Sequence, residues 1–234
     1  MNAIKTGVLA AVLATTATSA MAVSTIDLKV TGKIVPSSCT PAFASGGGIA
    51  DFGTMKVSSL NSTEPTTLPD IKTVPVTITC EESTRIGVKF TDARHSSAPT
   101  VAYPITFAST DFGRNVKYLF GLGTYNTANI GAYALGIQID AGTLTNGASE
   151  NLIAYDSSDG GAVWGTKAGT SYMSIVSDNS EIYSFGTFAN NNPQPQTLVN
   201  FNVGVSVIIN PTNDLHVTDE ATLDGLTNIE LVYL

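Results

Sequence analysis

Cys39 and Cys80 are the only thiols in the chain, and two chemistries suit such a pair. Zinc would need further nitrogen or sulfur ligands at close spacing. His95 and His216 are the only histidines, and neither stands at ligand spacing from a cysteine. A single disulfide is the simpler use in a chain exported to an oxidising compartment. Other reactive residue types are scattered. His95 beside Arg94 has the residue type of a general base, but a solvated polar loop accounts for it. Asp156, Asp159 and the serines near them carry oxygens of the kind calcium takes, at a spacing no calcium loop uses. A solvated turn is the plainer reading. Trp164, with Tyr155 and Tyr172 in the same region, offers faces on which a sugar ring could stack; core aromatics are the plainer reading. The G-x-S-x-G, H-E-x-x-H and P-loop motifs are absent, and Gly121-Leu122-Gly123 is only a fragment of a dinucleotide loop. The expectation is a protein that is not an enzyme and uses no metal and no cofactor.

Strands must position these residues. From Lys72 to Cys80, Val74, Val76, Ile78 and Cys80 share one face while Thr73, Pro75, Thr77 and Thr79 share the other. That is the period of two of a half-buried strand. Cys80 then points into the core, where it can meet Cys39. Pro75 marks the strand as an edge or a bulge. Ile86, Val88 and Phe90 alternate next, before a polar turn at 92–95. Asp51 to Met55 opens a short strand, and 58–68, rich in Ser, Thr, Asn and Pro, is a surface loop.

The middle, about 96–196, is less regular. Tyr103, Ile105 and Phe107, then Val116, Tyr118 and Phe120, then Leu135, Ile137 and Ile139 each suggest a short strand between Gly- and Asn-rich loops. The clearest alternation comes after the breaker at 190–195. There Val199, Phe201, Val203, Val205, Val207 and Ile209 face one way, and Asn200, Asn202, Gly204 and Ser206 the other. Ile229, Leu231 and Tyr233 form one row of a last strand. Many short strands and no amphipathic helix point to an all-β sandwich.

Composition sets the compartment and excludes some partners. The chain has 234 residues, 43 % hydrophobic and 13 % charged, so it can bury a substantial core. Its net charge of −8 argues against a nucleic-acid or anionic-membrane surface. Lys5, the short apolar run from Gly7 to Ala14 and the small-x-small site Ala20-Met21-Ala22 have the order of a secretory signal, placing the mature start at Val23. No later stretch is long and apolar enough for a transmembrane helix.

The mature chain would open on Ile26 to Ile34. Ile26, Leu28, Val30 and Ile34 fall on one side of an extended chain, Asp27, Lys29, Thr31 and Lys33 on the other, and Gly32 interrupts the apolar row. Such a stretch is either an edge strand of its own domain or a strand made to complete another sheet.

This strand, the early cysteine and the C-terminal strand with its penultimate Tyr233 together resemble the subunits of chaperone–usher fimbriae. Thr25 to Val35, with Cys39 shortly after, looks like the donor strand of fimbrial minor subunits. Asp51-Phe52-Gly53, Thr66-Thr67-Leu68-Pro69 and Val76-Thr77-Ile78-Thr79-Cys80 resemble the segment leading to the second pilin cysteine. The likeness covers about 23–92 and 199–234. The chain's length is similar to that of the longer, GltF-like fimbrial-like group.

The resemblance implies an immunoglobulin-like, pilin-type sandwich that is incomplete and is completed by a donor strand. The layout would be a signal peptide over 1–22, the donor strand over 23–36, and the sandwich over 37–234 with its enlarged middle. Ile26, Leu28, Val30 and Ile34 would fill a neighbour's pockets, with Gly32 where only bare backbone fits. Ile229, Leu231 and Tyr233 would face the chaperone. The implied partners are a periplasmic pilus chaperone, an outer-membrane usher and neighbouring subunits, on a route through the periplasm to a cell-surface fimbrium. The implied function is that of a structural subunit polymerising for adhesion. The alternative is a minor or tip adhesin binding a host glycan or receptor through its middle region.

Overall fold

Alternating apolar residues can bury only one face of a strand, so strands of this kind must stack as two sheets around a shared core. The computed structural model describes residues 26–34, 37–107, 110–111, 115–167, 171–187 and 192–234. The expected signal segment, positions 23–25, 35 and 36 of the opening strand, and Asn190 and Asn191 of the breaker lie outside these. The chain divides into two units, Met1–Val35 and Pro36–Leu234. In the first, Ile26 to Ile34 forms no strand, and Ile26, Leu28, Val30 and Ile34 are each at least 89 % exposed.

The second unit carries the strands in this order: β1 (Cys39–Phe43), β2 (Thr66–Thr67), β3 (Lys72–Thr84), β4 (Ile86–Asp92), β5 (Thr106–Phe107), β6 (Thr110–Asp111), β7 (Leu119–Gly121) and β8 (Thr124–Tyr125). There follow β9 (Ala128–Asn129), β10 (Gly131–Gln138), β11 (Leu144–Asn146), β12 (Ile153–Ser157), β13 (Tyr172–Ser174), β14 (Ile182–Gly186), β15 (Gln196–Ile209) and β16 (Thr227–Tyr233). A single helical turn, α1 (Thr212–Leu215), follows β15. The largest sheet runs β1-β3-β15-β10-β13, with β2, β7 and β11 added along it; a second runs β12-β14-β4-β16, and β5-β6 and β8-β9 pair as separate two-stranded sheets. The fold is an all-β sandwich.

Chain order and sheet order together define the topology. β1, β3, β15 and β10 take the places of strands A, B, E and D of an immunoglobulin-type sandwich, and β4 and β16 those of C and F. β12 and β14, from the enlarged middle, extend the second sheet beyond β4. In a complete sandwich of this type a further strand, G, pairs with the far side of F. Among the described residues no strand pairs with that side of β16.

The main core lies between the sheets. Val74, Val76 and Ile78 of β3, Val88 and Phe90 of β4, Phe185 of β14 and Phe201 of β15 are buried there. Phe185 packs on Phe201 with ring centroids 5.1 Å apart. Each fully buried side chain of this size contributes roughly 1.5–3 kcal/mol.

Four expectations need correction. Asp51 to Met55 is not a strand: the Gly53 N–H donates to Asp51 Oδ1 at 2.7 Å, and Gly53 takes a φ of +66°, so the chain turns instead. Val116–Tyr118 is a 3-10 turn, capped at 3.0 Å by Asn115 Oδ1 accepting from the Lys117 N–H, and only Leu119–Gly121 continues as strand. Pro75 lies on a strand flanked by β1 and β15 rather than on an edge. Its carbonyl accepts the Ala44 N–H at 3.0 Å, one residue beyond the end of β1, so its missing donor falls where that ladder stops. Finally, the expected polar face of β15, Asn200, Asn202, Gly204 and Ser206, is buried at Gly204 and Ser206. A second apolar cluster, including Ile105, Phe107, Leu119, Tyr172 and Ile208, covers it from the middle region.

Candidate functional site: an open edge between the first and last strands

Hydrogen-bond parity fixes which backbone groups the terminal strands leave unpaired. At the two ends of the β16–β4 pairing, the Ala93 N–H donates to Leu226 O at 2.9 Å and the Leu234 N–H to Arg85 O at 3.1 Å. Even-numbered residues of β16 therefore bond to β4, because successive residues of a strand point their backbone groups to opposite sides. The backbone groups of Ile229, Leu231 and Tyr233 point to the outer edge. Their side chains form the row facing the core: Ile229 and Leu231 are half-buried against it, and Tyr233 is 43 % exposed. Among the described residues the strand thus presents an apolar row beside an unpaired ladder.

β1 forms the matching edge of the other sheet. The Glu81 N–H donates to Ser38 O and the Ala44 N–H to Pro75 O, both at 3.0 Å, so even-numbered residues bond to β3 and Cys39, Pro41 and Phe43 point outward. Cys39 stands directly opposite Cys80 at a Cα–Cα distance of 4.0 Å, the close spacing of a pair that exchanges no backbone hydrogen bonds. The two form the expected disulfide. Pro41 has no N–H to offer, and the Cys39 N–H donates to the Tyr233 hydroxyl at 2.9 Å. The last strand and the first meet at that bond.

The opposite edge of the sandwich is sealed. Gly165 exchanges two backbone hydrogen bonds with Asp156, each 2.9 Å, and so caps the outer side of β12. Lys167 Nζ donates to Ser174 O of β13 at 3.1 Å and to the Tyr183 hydroxyl of β14 at 3.2 Å, tying the two sheets together. It also pairs with Glu181. Lys117 Nζ donates to Glu181 Oε1 at 3.1 Å, and the Tyr183 hydroxyl to Oε2 at 2.7 Å. Burial alone would raise the Glu181 pKa, but the hydrogen bonds from Lys167 and Tyr183 and the lysine charge hold it below the usual range. Burial and the adjacent Glu181 charge push the Tyr183 phenol up. Residue type gave no warning of this cluster, since its members are spread from 117 to 183 with no shared spacing.

The remaining candidates fall apart as sites. His95 and His216 are exposed. Asp159 caps a turn, accepting from the Ser157 hydroxyl at 2.7 Å and from the N–H groups of Ala162 and Val163 at 3.0 Å. No group of metal-ligating side chains occurs among the described residues. Tyr155 is buried, its hydroxyl donating to Thr187 O at 3.2 Å, and Tyr172 is buried against Phe107 in the second cluster. Neither ring offers a free face beside Trp164.

The family model described as "Protein of unknown function (DUF1120)" matches residues 28–134. The chain is 32 % identical to "Uncharacterized protein YhcF" of Escherichia coli (strain K12), across 89 % of this chain and 90 % of that protein. It is 29 % identical to "Protein GltF" of the same organism, across 98 % and 97 %. The expected likeness to GltF therefore extends over nearly the whole length.

Proposed function

We propose a function for this chain, which belongs to the DUF1120 family: a non-enzymatic structural subunit of a chaperone–usher fimbria, exported through the periplasm and assembled at the cell surface. The observation that carries the reading is the outer side of β16, unpaired among the described residues, with Ile229 and Leu231 half-buried beside it, at the place where an immunoglobulin-type sandwich holds one more strand. Strand addition supplies both missing halves, a backbone ladder and apolar side chains every second residue. The exposed row of Ile26, Leu28, Val30 and Ile34 has that spacing. In this reading a periplasmic chaperone covers β16 first, and the opening segment of a neighbouring subunit replaces it at an outer-membrane usher.

Gly32 supplies a selective test. Its added Cβ would meet nothing within 4 Å in the free chain, so Gly32→Leu leaves the fold unchanged. In a neighbour's groove, however, the leucine must fit where the row has no side chain. The expected result is an unaltered chaperone complex and at least about fivefold less subunit in sheared fibres, the size of an overpacking penalty of about 1–3 kcal/mol. Normal incorporation of the variant would remove the donor role of this segment.

A further inference from the structure

The geometry points to the Tyr233 hydroxyl as a clasp that closes the β1 side of the open edge and confines an incoming strand to β16. This deepens the strand-addition reading above and, where it concerns docking, rests on it. Two unpaired edges flank the gap, and a docking strand could in principle ladder onto either. They are not equivalent. On β1 the outward positions are Cys39, Pro41 and Phe43. The first has its N–H bonded to Tyr233, the second has none, and only the third remains to donate. On β16 the outward groups of Ile229 and Leu231 carry no such cap among the described residues, and that strand contains no proline.

Tyr233 reaches this position because it ends the core-facing row of β16, opposite Ile86 of β4. From there it spans from one sheet to the first residue of the other. Its partner Cys39 is fixed to β3 by the disulfide, so the bond holds two otherwise separate sheet edges in register. Tyr233 is thus a positioning residue. It sets which edge a strand can join and where the ladder ends, and it supplies no pocket of its own.

Amide hydrogen exchange on the full chain tests this, with Tyr233→Phe as the variant and a synthetic peptide of Ser24 to Ile34 as the probe. In the free proteins, the Cys39 amide should exchange about fivefold faster in the variant, the value of one hydrogen bond. The Ile78 amide, in the core strand, should be unchanged and reports that the fold is intact. Equal Cys39 exchange in both proteins would overturn the clasp. With peptide added to the wild-type chain, the Ile229 and Leu231 amides should slow while Phe43 does not. Equal slowing of Phe43 would overturn the confinement to β16. If the peptide slows no amide in either protein, strand addition itself fails and the confinement with it, whereas the free proteins still decide the clasp.

Discussion

Cys39→Ala combined with Cys80→Ala should lower the unfolding free energy by about 4 kcal/mol. The disulfide closes a stretch of 41 positions, and releasing a loop of that length restores about this much entropy to the unfolded chain. The native side should suffer locally as well. Of β1 only Cys39 is buried; Thr40 to Phe43 are exposed, so the strand has little apolar contact of its own to hold it. With the cross-link gone, β1 depends on its ladder to β3 and on the bond to Tyr233. Urea unfolding should therefore show a lower midpoint with a steeper slope, because the released unfolded chain exposes more surface, together with faster amide exchange in β1 than in β3. A loss below about 1 kcal/mol would mean that the cross-link contributes little to this fold.

Glu181→Gln should cost about 3 kcal/mol. Removing one member of a buried ion pair leaves the other charge buried without compensation, a loss of about 3–5 kcal/mol. The lower end applies because the Lys117 side chain is 37 % exposed and can return to water, whereas that of Lys167 is 17 % exposed and cannot do so easily. The same carboxylate should govern acid stability. Its pKa in the folded chain lies below the ordinary 4.5 of the unfolded one. Its contribution is therefore fully present above about pH 4.5 and is lost as pH falls through the folded value. Thermal melts from neutral pH into acid should bring wild type and variant together as pH falls through the folded value. Parallel curves over that range would mean that Glu181 is not the titrating group.

Strands whose burial is one-sided were legible before any coordinates. Val74, Val76, Ile78 and Cys80, and likewise Ile86, Val88 and Phe90, face the core as their alternation requires. The disulfide followed from two cysteines behind a leader with the residue order of a secretory signal. The middle was not legible in the same way. Val116 and Tyr118 alternate like a strand, but Asn115 accepts the Lys117 N–H and turns the chain, a local competition that periodicity does not register. Ser206 reads as a solvent position, yet the second apolar cluster covers that face of β15, so burial there depends on residues a hundred positions away. At the open edge, the row of Ile229, Leu231 and Tyr233 could be read directly. That its backbone groups face outward could not, because this depends on the pairing register with β4. The Tyr233–Cys39 bond joins residues at opposite ends of the chain and leaves no local signature.

The central claim is that the sandwich is one strand short and that the opening segment of another subunit supplies it. The most direct measurement compares the unfolding of the mature chain from Val23 with that of a chain beginning at Lys33, the latter with and without a peptide of Ser24 to Ile34. The account predicts that the shortened chain is unstable alone and gains a large, slowly reversing stability from the peptide. Equal stability without the peptide would show that the sandwich is already complete, and that its outer edge on β16 is an ordinary one.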